Sequence, residues 1–343
     1  MITSIIKESD IFEFKQKRQK SSFGSCYMTR GIFVNSDGKL NCSCMIGYHC
    51  ELGDLRDIHA GEFCYSQIIR YIAESFKEGL EPFPMCRHCA TRQMDKVPGY
   101  WYMDECAIDG LTIHVEPSNH CNLFCEACLC TAERKSKSPS PRKNMPFIIY
   151  SKMMHELKER EINVGNIVFA GFGEPLFNKD FPKMVRLSRE FYPHCHLSLD
   201  TNCNFPEEKA KEIADCGLDQ IRLAIDGADQ ESYSAYRMNG DFSLAVDFLK
   251  ALVNAVKKTK SRTIPIWKYI LFKHNDSDDL LEKAGRMARE YDLQIIYDIT
   301  VGPLASKRNP EDLKKTIQGM TISNNVDEKA YETLRSPLEE NSK

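Results

Sequence analysis

Leu111-Thr112-Ile113-His114-Val115-Glu116 is a mostly apolar run that reads as a β-strand, and Pro117-Ser118-Asn119-His120-Cys121-Asn122-Leu123-Phe124-Cys125-Glu126-Ala127-Cys128 follows it directly. From here onward strand-like and helix-like runs alternate. Strands are predicted at 111–116, 167–170, 196–199, 220–225, 264–272 and 294–299, with helices at 147–160, 181–191, 206–216, 242–258 and 278–291 between them. Gly217 stands where a helix C-cap is wanted, and Asp278-Asp279 where a helix N-terminus favours acids. Repeated β-α units imply a parallel sheet with right-handed crossovers, either an open doubly wound sheet or a partial barrel. In both, the working face lies at the strand C-termini. The motifs of this region fall just after predicted strands.

Cysteine use sets the chemistry. The chain of 343 residues holds 15 cysteines, and Cys26, Cys42, Cys44, Cys50, Cys64, Cys86, Cys89 and Cys106 all precede residue 110. Such clustering points to metal coordination rather than to a disulfide framework. Cys195, Cys203 and Cys216 are scattered through periodic segments and fit buried thiols. In Cys121-x3-Cys125-x2-Cys128 three thiolates stand one short of a closed four-ligand site. That leaves a metal position open for something else, unless His120 or Cys130 closes it.

Upstream, 1–105 differs in texture. Ser36-Asp37-Gly38-Lys39 is a hairpin turn signal between Ile32-Phe33-Val34 and Leu40, and 66–77 has helical spacing. Pro82 and Pro84 break the chain before Cys86-Arg87-His88-Cys89, a CxxC half-site for zinc or an iron–sulfur cluster. A metal staple suits a segment this small, which apolar burial alone stabilises poorly. The expected division is a Cys-rich module over 1–105, a β-α domain over 106–310 and a charged tail over 311–343. Residues 136–144, polar and Pro-rich, read as a flexible loop.

Net charge is −3, which gives no electrostatic reason to expect nucleic acid or an anionic membrane as partner. The N-terminus lacks the apolar stretch of a signal peptide, and no later run approaches a membrane span. A cytoplasmic protein is expected.

Glu116 to Cys128 resembles the signature of the radical S-adenosylmethionine (radical SAM) superfamily, with Ala127 where many members carry an aromatic residue. The resemblance implies a partial TIM-type (β/α)6 barrel with a small Cys-rich N-terminal module. It also implies a [4Fe-4S] cluster on Cys121, Cys125 and Cys128, whose open iron binds SAM, and a reductant such as flavodoxin or ferredoxin. Ala170-Gly171-Phe172-Gly173-Glu174-Pro175 is similar to the family's GGEP-type loop, which assigns Gly171, Gly173 and Glu174 to SAM. Asp200-Thr201-Asn202 resembles a polar strand end that brings Asp200 and Asn202 to SAM, with Cys203 in place of the usual glycine as a candidate hydrogen donor. Arg222 to Gly227 resembles the fourth strand, with Ala224 where serine is common. Lys273 and His274, after the fifth strand, are candidate substrate contacts or parts of a turn.

The N-terminal cysteines resemble auxiliary cluster modules called SPASM or twitch domains, here placed before the barrel. The resemblance gives Cys26, Cys42 or Cys44, Cys86 and Cys89 as ligands of a second [4Fe-4S] cluster, and a zinc ribbon is the alternative. The expected activity is hydrogen abstraction from a small polar substrate (a sugar, aminocyclitol or nucleotide-linked metabolite), ending in oxidation or epimerisation. A peptide or protein maturase is the second reading, and only 25 residues before Cys26 shift weight away from it. A non-catalytic electron carrier or zinc-stapled binding module is the third.

Overall fold

The structure is a computed structural model that describes residues 4–20, 31–42, 50–84, 86, 110–137, 139–300, 303–316 and 321–324. Its strands are β1 (Ser4–Ile5), β2 (Gln19–Lys20), β3 (Gly31–Val34), β4 (Lys39–Asn41), β5 (Cys50–Asp54), β6 (Leu80–Glu81), β7 (Leu111–Val115), β8 (Val164–Phe169), β9 (His196–Thr201), β10 (Gln220–Ala224), β11 (Ile264–Leu271), β12 (Gln294–Ile299) and β13 (Thr321–Asn324). The helices are α1 (Ile11–Lys17), α2 (Ala60–Phe63), α3 (Gln67–Lys77), α4 (Leu129–Arg134), α5 (Phe147–Glu159), α6 (Phe181–Phe191), α7 (Glu207–Ile213), α8 (Gln230–Ser234), α9 (Phe242–Thr259), α10 (Asp278–Glu290) and α11 (Pro310–Thr316).

One mixed sheet organises the molecule, in the order β1-β5-β4-β3-β7-β8-β9-β10-β11-β12-β13. Strands β7 to β13 are parallel to their neighbours, as the β-α alternation predicts. The fold is α/β of the partial TIM type, and among the described residues β1 and β13 do not close it into a barrel. β8 begins at Val164, ahead of the predicted start at 167. Gly165-Asn166 interrupts the apolar pattern there: Val164 pairs with Leu111 and Asn166 with Thr112, and Gly165 is the extra residue at the register shift between them.

Two segments join this sheet against expectation. The hairpin turn forms as read, with Gly38 at φ 81°, but β3 pairs in parallel with β7 through Gly31↔Thr112 to Val34↔Val115. The Cys-rich segment therefore shares the sheet of the β-α region. The expected charged tail contributes α11 and then β13, which pairs with β12. Neither pairing is local in sequence, so no periodicity announces it.

Period-two alternation on the strands separates two faces. Ile113, Val115, Ile167, Phe169, Leu197, Leu199, Ile221, Leu223, Trp267, Tyr269 and Tyr297 point to the helices and join one core with Met153, Leu157, Met184, Val185, Phe248 and Leu252. The opposite face, the lumen of the partial barrel, carries His114, Glu116, Asp200, Arg222, Lys268 and Asp298. Helix ends follow local rules: Asp241 caps α9 by accepting from the Leu244 amide, and Ser277 caps α10 by accepting from that of Leu280. Among the described residues, no helix is long and apolar enough to cross a membrane.

Candidate active site

The cysteine loop begins where β7 ends, and Glu116 fixes its start. The carboxylate is fully buried. Its Oε1 accepts from the Ser36 amide at 3.1 Å and the Ser36 hydroxyl at 2.8 Å, while Oε2 accepts from the Phe172 amide at 2.7 Å. One side chain thus joins the β3–β4 turn, the β7 terminus and the loop after β8. That loop lies against the cysteine loop with no space for side chains. A Cβ on Gly173 would stand 2.4 Å from the Ser118 carbonyl oxygen, and one on Gly171 would stand 2.5 Å from Glu116 Cγ. The Glu174 amide donates to the His120 carbonyl at 2.6 Å across the same seam.

Of residues 136–144, expected to be a flexible loop, 139–144 fold back along this structure. Asn119 exchanges backbone and side-chain bonds with Pro141 and Lys143, and Lys143 Nζ reaches Asp37 at 2.7 Å. Arg142 pairs with Glu133 at 2.8 Å. Beneath the loop, Arg134 donates to the carbonyls of Cys121 and Leu123 and stacks on the Phe124 ring at 3.7 Å.

Leu123, Cys125, Tyr236 and Phe272 form a separate apolar cluster, with Cys121, Ala127, Cys128, Ile270 and Leu304 packed on it. The three motif thiols thus share one apolar collar. Cys130, buried in α4, is not part of it, and the His120 ring leans on Phe177 with ring centres 6.1 Å apart. Among the described residues, no three His, Cys, Asp or Glu side chains converge on one metal ion. Burial pushes the Cys121 thiol up to about 11 and that of Cys125 up to about 12. Metal coordination reverses this preference, because a coordinating thiol is deprotonated outright.

Polar groups aim at those sulfurs. Asn202 Nδ2 is 3.6 Å from Cys121 Sγ and donates to Asn122 Oδ1 at 2.8 Å. Arg237 Nη1 is 4.0 Å from Cys125 Sγ. Glu174, also buried, accepts from the Leu176 amide, the Thr201 hydroxyl and the Asn202 amide at 3.2, 2.9 and 2.7 Å. Burial raises its carboxyl to about 7 despite these donors. The Gly-Glu-Pro loop and the end of β9 are therefore one unit.

Cys203 takes a left-handed conformation, φ 62°, where glycine is favoured. Its side chain is fully buried in the helix-side core and its thiol donates to the Thr201 carbonyl at 3.5 Å. The structure therefore sets it apart from the cysteine loop. Lys273 is exposed, and its amide donates to the Leu304 carbonyl. His274 stacks on Phe272 with ring centres 5.4 Å apart, and its buried Nε2 has no hydrogen-bond partner among the described residues. Asn275 makes the turn: its side chain bonds the Phe272 amide and the carbonyls of Asp226 and Ile270.

Asp200 lies near the end of β9, two residues before Asn202. It is ion-paired with Arg222 and is 3.9 Å from Lys268 Nζ, which in turn is 3.5 Å from Asp298. Burial and the Arg222 charge push His114 down to about 3, which keeps it neutral. Of the auxiliary candidates, Cys42 and Cys86 are half-buried against the main core, and Cys26, Cys44 and Cys89 lie outside the described residues.

Residues 115–270 match the Radical SAM superfamily. The chain carries a radical SAM domain. Proteins of this superfamily use a [4Fe-4S] cluster and SAM, and they draw on a reductant. The chain is 26% identical over 228 residues to a probable GTP 3',8-cyclase of Methanosarcina mazei, covering 66% of this chain and 63% of that protein. It is 29% identical over 129 residues to the 7,8-dihydro-6-hydroxymethylpterin dimethyltransferase of Methanocaldococcus jannaschii, covering 36% of this chain and 24% of that protein. A radical SAM methyltransferase structure from Sphaerobacter thermophilus aligns at TM-score 0.49 and 16% identity, covering 62% of this chain and 65% of that one. The chain thus spans less than two thirds of each of these known proteins.

The radical SAM domain was legible from the cysteine spacing. Sequence reasoning missed Glu116, Asn122, Asn204 and Arg237 as organisers of the site. Asn204 accepts from the Asp241 amide and donates to the Tyr233 hydroxyl, which ties the β9 end to α8 and α9. Their partners lie far along the chain, so spacing carries no signal for them.

Proposed function

We propose that Cys121, Cys125 and Cys128 hold the [4Fe-4S] cluster, and that this chain takes hydrogen from a small polar substrate seated on the lumen face below it. The observation that carries the reading is the gathering of three thiols in one collar above a lumen that bears Asp200, Arg222, Lys268 and Asp298. An apolar lumen would be mere core, as in a packed barrel. Burying Arg222 and Asp298 and half-burying Asp200 and Lys268 costs desolvation energy, so their retention there supports a polar ligand.

The donor set suits the cluster. Each thiolate of a four-iron cluster binds its own iron, so the sulfurs need not converge on one point. A reduced cluster held by Cys121, Cys125 and Cys128 would supply one-electron cleavage of SAM and, through it, hydrogen abstraction from the substrate. The protein's own part is to hold and orient. Glu174 offers a carboxylate for the SAM ammonium, supported from behind by Thr201 and the Asn202 amide. Gly171 and Gly173 keep that loop against the cysteine loop. Asp200 and Lys268 keep part of their surface open to the lumen and can bind hydroxyl, amino or carboxylate groups. Burial of the Cys203 thiol, bonded to the Thr201 carbonyl, supports oxidation over epimerisation. Cys26, Cys42 or Cys44, Cys86 and Cys89 are proposed to hold an auxiliary cluster that takes up the second electron.

Anaerobically reconstituted, reduced protein is expected to form 5'-deoxyadenosine from SAM, and Cys121→Ala to form none. Failure of the wild-type protein to form it would sink the enzyme reading. Cys86→Ala is expected to keep SAM cleavage and to lower both iron content and substrate turnover.

A further inference from the structure

The strongest feature left over is a buried cation facing a cysteine of the motif. The residues flanking Cys125 donate their amides to the carbonyls flanking Arg237: Phe124 to Met238 at 3.0 Å and Glu126 to Tyr236 at 3.2 Å. The two side chains are thereby set opposite each other. Arg237 is 9% exposed and Asp226 is fully buried. Two guanidinium nitrogens, Nε and Nη2, bind Asp226 Oδ2 at 2.7 and 2.6 Å. The third, Nη1, is left toward Cys125 Sγ at 4.0 Å. Asp226 is itself held, since its Oδ1 accepts from the Ile270 amide at 2.7 Å. The guanidinium is thus clamped on one edge and aims its remaining edge at sulfur.

We propose that Arg237 is a positioning residue for the cluster: it holds a fixed positive charge on the Cys125 thiolate and raises the reduction potential of the cluster bound there. The inference rests on Cys125 being a cluster ligand. Hydrogen bonds to cluster sulfurs and local charge are among the factors that set such potentials. A positive charge near the cluster favours the reduced form, which carries one more negative charge. In a buried site this attraction is weakly screened. Arginine suits the task because its planar fork binds a carboxylate with one edge while presenting another nitrogen elsewhere.

The test is an EPR-monitored redox titration of anaerobically reconstituted full-length protein without SAM. Arg237→Gln alone would leave Asp226 buried and unpaired, so it is combined with Asp226→Asn. The double variant is expected to bind wild-type amounts of iron and, measured against Asp226→Asn alone so that the lost carboxylate charge cancels, to show about a tenfold lower ratio of reduced to oxidised cluster at a fixed potential, about 59 mV for one electron. Arg237→Lys in the same Asp226→Asn background is expected to lie between the two. A midpoint unchanged from that of Asp226→Asn in a double variant with full iron overturns the proposal, even if SAM binding is lost, because that result would put Arg237 on SAM instead. If the double variant takes up no iron, wild-type protein labelled with guanidino-15N arginine decides. A 15N coupling to the reduced cluster in pulsed EPR, lost in Arg237→Lys, supports the proposal, and its absence overturns it. Failure of the wild-type protein to take up iron, or wild-type iron in Cys125→Ala, overturns the ligand assignment and this proposal with it.

Discussion

At the scale of the residue, the site is built from polar side chains that face inward and are satisfied by distant partners. Glu174 has the clearest consequence in solution. Its carboxyl is raised from the ordinary 4.5 to about 7 because burial outweighs three donors. Between those values the folded protein keeps a proton that the unfolded chain has released. Stability therefore falls as pH rises through that window, by at most about 1.4 kcal/mol per pH unit for one proton. Urea unfolding of the metal-free protein at pH 5, 6, 7 and 8 is expected to show this slope, and Glu174→Gln to flatten it. SAM affinity of the loaded protein is expected to move the other way, rising with pH up to about 7, since an ammonium prefers the ionised carboxylate. At this scale the radical SAM domain was legible because the cysteine spacing is itself the signal. Arg237 was not, because its meaning comes from Cys125, far away in sequence but opposite in space.

At the scale of the element, two loops fit together only because glycine has no side chain. In Gly173→Ala the new methyl would meet backbone atoms of Ser118, Asn119 and His120 within 2.5 Å. Backbone cannot step aside as a flexible side chain can, so the cysteine loop must shift. Gly173→Ala is expected to lower iron bound per chain by more than half, measured by iron analysis after reconstitution. Gly285→Ala is the matched control. In the middle of α10 its methyl would meet only the end of Arg289, at 3.4 Å. There alanine is expected to raise stability by about 0.5–1 kcal/mol, the ordinary gain over glycine inside a helix, with iron content unchanged. The elements bearing these loops were legible, since α6 spans the predicted 181–191 and β7 to β12 stand at the predicted strands. What periodicity could not give is the packing of loop on loop. That depends on atoms, not on pattern.

At the scale of the whole molecule, the sheet crosses the boundary that composition suggests near residue 105. β3 lies beside β7 in parallel register, and Ser36 in the turn after it bonds Glu116 at the start of the cysteine loop. The core is continuous as well: Ile32, Val34, Leu40, Leu52, Phe63 and Tyr71 pack in the same cluster as Ile113, Val115, Met153 and Leu157. A contrast in texture between two segments reports how each makes its local structure, not whether they share a core. Compositional reading was therefore blind to this pairing. Removal of 1–105 would uncover the β7 edge together with apolar residues of α5 and leave the buried Glu116 carboxylate without Ser36. Exposed edges of this kind pair with other chains, and a buried carboxylate that loses its donors costs about 1–3 kcal/mol or more. The shortened chain is expected to be insoluble or to lack a cooperative thermal transition, while the full chain melts in one step seen alike by far-UV and near-UV circular dichroism. Two separate transitions in the full chain, or a soluble and cooperatively folded 106–343, would mean that the shared sheet does not couple the two segments.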